Sequence, residues 1–467
     1  MIEDNRSGLP LKAGVYAAVS LAITLILVLS GDGDFSPYFA SLLAITAAVV
    51  VWRSNRDRPR SGLITLFFSL AAAHAIFGYW AAGKSTLTIW IGSNAQQMFR
   101  RSFFVIAATL FVAALTYDVA LKFPSRVIHN SCFRLQISEQ RLLSFARMSL
   151  VLGCLLVAYV GIAVGFMPML TSNPGAARYL SPDLTTQYEK YQWIVNLALD
   201  FLTLSVPLVL FSGWKFQRIT DWLLGLAGVF GVLFTLRRAN LVSVGLVLLL
   251  LVAFTRGRLP RRYLAYAVFL VLGYFASQLI FLNAFDDKAD SQDGVTASLS
   301  GLPEVRDLGW AMSLVGDKRF YGGTFISLVP LLGRFSELKT QDSLVEVTKR
   351  LIGMEGEGIT GGLRITFAGE GFLNFGALGS FVIGIIFGWL CSSLLHVSEV
   401  LLKKRDLASS YLAAFLFVWL CFWLYLAGTE ATGAIRNGSI LIFILFYLSR
   451  VRKLPELSTL NVCQTAP

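Results

Sequence analysis

The stretch GGLRITFAGEGFLNFGALGS, residues 361–380, puts a carboxylate, Glu370, and an amide, Asn374, at the entrance of an apolar helix. Arg364 precedes them, and Gly361 and Gly362 let the chain bend before the helix begins. On a helix, Glu370 and Asn374 lie four residues apart and share a face. Gly376, Ser380, Gly384 and Gly388 follow at four-residue spacing, a ridge of small side chains that admits a second helix at close range. An ionisable group at the mouth of an apolar helix needs a partner or a task. The plainer account of Glu370 is a helix-start carboxylate favoured by the helix dipole.

Outward from this entrance the chain reads as membrane scaffold. It is 55% hydrophobic and 15% charged, against about 25% charged in a soluble domain, and its mean hydropathy is +0.66. Apolar runs recur near 11–30, 37–52, 61–82, 102–121, 148–170, 191–213, 219–236, 240–255, 262–282, 372–398, 409–427 and 438–450. Most approach the length of about 20 residues that crosses a bilayer as helix. Strand-like alternation is missing, and helices satisfy their own backbone in lipid. The expected fold is therefore an all-α polytopic membrane protein of about 12 transmembrane helices. A bundle over 1–282 precedes a long outer loop over 283–371, three helices over 372–453 and a tail over 454–467. The first run lacks a small-residue cleavage site and reads as a retained helix.

Charge sets the expected orientation. RSNRDRPR (53–60), the segment 122–147, TRGRLPRR (255–262), KKRD (403–406) and SRVRK (449–453) are basic and fall on every second connection. The positive-inside rule then puts both termini in the cytoplasm and loop 283–371 outside. The net charge of +12 is spread over short loops, which suits topology and contact with anionic membrane lipids. No basic, aromatic-interleaved soluble domain is present to hold nucleic acid. TLRRAN (235–240) breaks the rule, with Arg237 and Arg238 side by side on the outer side. They either snorkel to headgroups or bind an anion through guanidinium forks. Asp200, His74 and Asp118 lie within apolar runs, where a hydrogen bond between helices competes with a functional role.

The outer loop is too long for a mere connector. Its apolar piece from Thr324 to Leu332 is too short to cross and suits a re-entrant or interfacial segment. The sequence has no P-loop, Rossmann glycine pattern, HExxH or GxSxG, and its five Cys and three His show no zinc spacing. Neither a metal nor another cofactor is expected. No twofold repeat of the kind that builds many transporters is visible.

From Arg319 to Gly379 the chain resembles the Wzy-type O-antigen and exopolysaccharide repeat-unit polymerases. The resemblance is carried by RFYGGTFISLVPLLGRFSELK (319–339), by Gly361–Gly362, and by GEGFLNFGALG (369–379). The Arg237–Arg238 pair also resembles the family's outer-side Arg site. Two departures stand out: Leu-Leu-Gly separates Pro330 from Arg334, and Thr340 follows Lys339 where the family has proline.

The resemblance implies a polymerase/ligase architecture like that of the GT-C glycosyltransferases. It also implies a metal-independent enzyme of the bacterial inner membrane that polymerises oligosaccharide repeats carried on undecaprenyl pyrophosphate. A chain-length regulator and a flippase of the same pathway are the implied partners. In this reading Arg237, Arg238, Arg364 and Arg334 bind pyrophosphate, whose charge grows as the glycosidic bond breaks. Glu370, with Glu430 second, is the base for the acceptor hydroxyl. Asn374, Lys339, Tyr321 and Arg436 contact the sugars. The alternatives are an O-antigen ligase, which resembles this chain in its large outer loop but carries an essential His there, and a lipid-linked oligosaccharide flippase. No His lies in an outer segment here.

Overall fold

Backbone groups in an apolar environment must be satisfied within their own segment, so helices form where the apolar runs fall. A computed structural model describes residues 16, 19, 36–56, 62–82, 95–122, 137–170, 190–235, 238–256, 265–266, 303–315, 365–404 and 406–421. These contain ten α-helices and no strand. They are α1 (Pro37–Asn55), α2 (Gly62–Ala82), α3 (Ala95–Ala120), α4 (Glu139–Val164), α5 (Gln192–Phe216), α6 (Ile219–Phe234), α7 (Arg238–Thr255), α8 (Pro303–Val315), α9 (Thr366–Lys404) and α10 (Leu407–Val418).

Nine of them coincide with expected runs, and α8 falls in the segment read as loop. Six among the described residues, α1 to α5 and α9, are long and apolar enough to cross a membrane, as a polytopic membrane protein requires. The expected runs at 11–30, 262–282 and 438–450 lie almost wholly outside the described residues.

Local chemistry sets several ends. Ser138 caps α4 by accepting from the Arg141 backbone N–H at 3.3 Å, so the helix starts well before its apolar run. Gly165, at φ +80°, ends it in the left-handed region. Asp406 caps α10, accepting from the Ser409 N–H at 2.7 Å. Pro37 opens α1, where its missing N–H costs nothing.

The helices form two groups. In the first, α1, α2, α8 and α9 pack on α3. Of the membrane-crossing stretch of α3, 89% is buried, against 28% for α1, so α3 is the axis of this group. In the second, α4, α6 and α7 pack on α5. α10 bridges the groups through α9 and α7, and its Tyr411 hydroxyl donates to the Leu204 carbonyl in α5.

Polar locks sit at the ends expected to face the cytoplasm. Tyr117 donates to Asn55 at 2.7 Å, Asn55 to Thr65 at 3.0 Å, and Ser54 to Asp118 at 2.6 Å, tying α1, α2 and α3 together. Asp118 is thus part of a lock between helices. In the second group Arg147 of α4 makes a bidentate pair with Asp221 of α6, at 2.8 and 2.7 Å, while Ser212 of α5 donates to the same carboxylate at 2.6 Å.

The small-residue ridge forms in part. Gly384 rests on the Thr109 carbonyl and Val112, and Gly388 on the Ala113 carbonyl and Thr116. The equal steps along both chains show that this part of α9 runs parallel to α3. Gly376 does not join the ridge. It sits at φ +66° next to Phe375 at φ −135°, and both are non-helical. A glycine takes this conformation without the Cβ penalty.

At that break α9 folds back on itself. Residues eight apart on a straight helix are separated by about 12 Å. Here the backbones of Gly371 and Gly379 touch, the Ser380 hydroxyl reaches the Ala368 carbonyl at 3.4 Å, and the rings of Phe367 and Phe387 are 6.0 Å apart. The partners move apart in sequence on either side of residue 375, as in an antiparallel hairpin. α9 is therefore a short limb, 366–374, laid against a long limb, 377–404.

Candidate functional site

The hairpin changes where Glu370 lies. The sequence puts it at the entrance of a continuous helix. In the structure it is on the short limb, six residues before Gly376, which places it roughly 9 Å below the bend at 1.5 Å per residue. It is 1% exposed, and Asn374 is fully buried. Both lie in the helical limb, and the Asn374 side-chain amide turns back to donate to the Glu370 backbone carbonyl at 2.8 Å. A carboxylate enclosed on a rigid limb is costly to keep and well positioned.

The start of the limb is strained. Thr366 has φ +57°, a region that non-glycine residues rarely occupy, at a cost of about 1 kcal/mol or more. Its hydroxyl is buried with no hydrogen-bond partner among the described residues, as is the indole N–H of Trp310. Such strain persists only where the surroundings impose it.

Two further elements close on the limb. The first is α8, whose Val305, Leu308 and Ala311 are fully buried. The Ser102 hydroxyl donates to the Val305 carbonyl at 2.7 Å, Gly309 lies against Phe99, and Leu308 lies against Gly369. Arg306 bonds Asp307 at 2.9 Å and stacks 4.6 Å from the Trp310 ring centroid. The second element is the start of α3, AQQMFRRSFF, where Arg100 and Arg101 enter the bundle. The Arg101 guanidinium lies over Phe372, 5.5 Å from its ring centroid.

Arg100 and Arg101 are the residues that reading the sequence missed. Their signal was available: a double Arg opening an almost wholly buried helix, on a connection expected to face outward. It was overlooked because the apolar run was taken to start at residue 102, which assigned both arginines to a loop.

The other expected site residues are less constrained. Arg238 is the first residue of α7, and its side chain lies outside the described residues. Asn240, just after it, donates to Thr203 at 3.0 Å. Thr203 is eleven residues into α5, about 16 Å along that helix. The first turn of α7 therefore lies well along α5 and not level with its start. Phe372 is buried, whereas Phe375 at the bend is half exposed. Arg237, Arg334, Arg364, Lys339, Tyr321, Glu430 and Arg436 lie outside the described residues.

The described parts of the site thus comprise two enclosed carboxylates, Glu370 and Asp307, an amide, a buried hydroxyl on a strained residue and three arginines, Arg100, Arg101 and Arg306, the last of them paired with Asp307. That set can accept a proton and neutralise an anion. Among the described residues no group of three or more His, Cys, Asp or Glu is placed to hold a metal ion. Comparison with protein-family models, with curated proteins and with solved structures finds no match to this chain.

Proposed function

We propose that the protein is a membrane glycosyltransferase, of about twelve helices and GT-C-like architecture. It joins oligosaccharide repeats carried on undecaprenyl pyrophosphate into O-antigen or exopolysaccharide at the outer face of the bacterial inner membrane. The observation that carries this reading is the enclosed Glu370, held on a short folded-back limb against an arginine-bearing helix. In the reaction, the acceptor hydroxyl oxygen forms a bond to the anomeric carbon of the donor. The bond from that carbon to the pyrophosphate oxygen breaks, and Glu370 takes the hydroxyl proton. Arginines stabilise the charge left on the lipid pyrophosphate. Arg101 serves here beside the expected Arg237, Arg238, Arg364 and Arg334, and the second candidate base is Glu430.

A second reading, movement of the same lipid-linked oligosaccharide across the membrane, is favoured by the broken helix, because discontinuous helices line transport sites. One experiment separates the two. The purified protein is incubated with a single lipid-linked oligosaccharide, with and without lipid A-core. A ladder of products is expected from a polymerase, a single addition to lipid A-core from a ligase, and no covalent change from a transporter.

A further inference from the structure

Among the described residues, only Gln217 and Thr366 carry a side chain at positive φ. Gln217 caps the exposed end of α5, where a left-handed residue is common. Thr366 is the reverse case, a β-branched residue at φ +57° opening a buried limb. It is 4% exposed, and its hydroxyl has no hydrogen-bond partner among the described residues. A glycine would take this φ without strain. A valine would fill the same space without burying an unmade hydroxyl. Thr366 therefore carries two separate costs to stability, and departures of that kind concentrate at sites of function. Its neighbours place it. The Gly369 N–H donates to the Ile365 carbonyl at 3.1 Å, so the first turn of the limb closes in spite of the strain. Glu370 is one turn on, with the two α-carbons about 6 Å apart along the axis. Asn374 follows after a second turn, so the backbone positions of Thr366, Glu370 and Asn374 line one face of the limb. Two other faces do the packing: Gly371 rests on the long limb, and Gly369 on Leu308 of α8.

We infer that the Thr366 hydroxyl is a substrate-binding group, which holds a sugar hydroxyl of the lipid-linked oligosaccharide beside Glu370. A hydroxyl both donates and accepts, so it pairs with another hydroxyl in either sense. The bound sugar satisfies the buried Thr366 oxygen and brings its own proton within one turn of the carboxylate. Thr366 binds and orients, and Glu370 alone takes the proton. The identity of the ligand rests on the glycosyltransferase reading, in which this sugar is the acceptor.

The test is equilibrium binding of the undecaprenyl-pyrophosphate-linked oligosaccharide, with undecaprenyl pyrophosphate as the sugar-free control, alongside unfolding in SDS micelles. Thr366→Val keeps the shape and removes the hydroxyl. It should bind the oligosaccharide about fivefold to tenfold more weakly, the worth of one hydrogen bond, and the sugar-free lipid as the wild type does. It should unfold no earlier than the wild type, because a methyl replaces an unmade hydroxyl. Thr366→Ser keeps the hydroxyl and should bind both lipids like the wild type. Thr366→Gly removes the hydroxyl and the strain together, and decides the matter if Thr366→Val does not fold. A merely structural role would lower stability and weaken both lipids alike. That result, or wild-type binding of the oligosaccharide by Thr366→Val, would overturn the proposal. The product ladder of the wild type is scored in parallel. A wild type that binds the oligosaccharide without extending it removes the glycosyltransferase reading, while the comparison of Thr366→Val with Thr366→Ser still decides the role of the hydroxyl.

Discussion

The folded-back limb can be tested by adding one methyl group at its crossing point. A Cβ on Gly371 would lie 2.8 Å from the Gly379 carbonyl oxygen and 3.0 Å from the Ile383 side chain. Ordinary carbon-to-oxygen contacts begin at about 3.3 Å, so Gly371→Ala must push the two limbs apart by about half an ångström. Overpacking of this kind costs about 1–3 kcal/mol. A Cβ on Gly379 meets the Gly371 carbonyl oxygen even more closely, so Gly379→Ala should cost more than Gly371→Ala. Gly62→Ala, where nothing lies within 4 Å, should be neutral or slightly stabilising. Because Gly371 and Gly379 share one contact, the double variant should cost less than the sum of the two. Unfolding in mixed micelles, titrated with SDS and followed by tryptophan fluorescence, measures all four. If Gly371→Ala and Gly379→Ala unfold like Gly62→Ala, the limbs are not in backbone contact, and a continuous helix through residue 376 must replace the hairpin. Gly371→Ala and Gly379→Ala should also shorten or abolish polymer, because the displaced limb carries Glu370.

Other outcomes follow from single contacts. Glu370→Gln keeps the shape and removes the base, so the product ladder should vanish while membrane insertion persists; a normal ladder moves the base role to Glu430 or elsewhere. Arg238→Ala, Arg364→Ala and Arg101→Ala should each abolish long polymer in cells, and full-length polymer in any of them removes that arginine from the pyrophosphate clamp. Arg147→Ala strands Asp221, 3% exposed, with Ser212 as its remaining hydrogen-bond partner from the cluster, and should cost about 3 kcal/mol. Arg147→Met/Asp221→Leu should recover most of that loss in the same SDS titration. Tyr117→Phe removes the bond to Asn55 and should cost about 1 kcal/mol.

Two members of the site, Glu370 and Asn374, were picked out along the chain, but the geometry around them was not. That Glu370 and Asn374 share a face follows from helical period, and both lie in the helical limb 366–374. Gly384 and Gly388 were readable as a packing ridge for the same reason. Gly376 carried the same small-residue signal, and spacing alone cannot tell a packing glycine from a bending one. The difference is its φ of +66°, which depends on the two limbs meeting. Arg100 and Arg101 were passed over because a hydropathy run ends at a charge, whereas a helix does not. α8 was read as part of the outer loop, where Glu304, Arg306 and Asp307 cluster; its burial comes from α3 and α2, far away in sequence.

By itself, then, the sequence determined the membrane class, the positions of most helices and the alternation of basic connections. Each of these rests on local quantities: the length of an apolar run, a cap, a charge beside a helix end. Only the tertiary structure decided that α3 is the axis, that α8 docks on its arginine-bearing start, and that Glu370 lies inside the protein on a reversed limb. Those facts depend on which surfaces meet, and close contact between backbones distant along the chain leaves no periodic trace in the residues that make it.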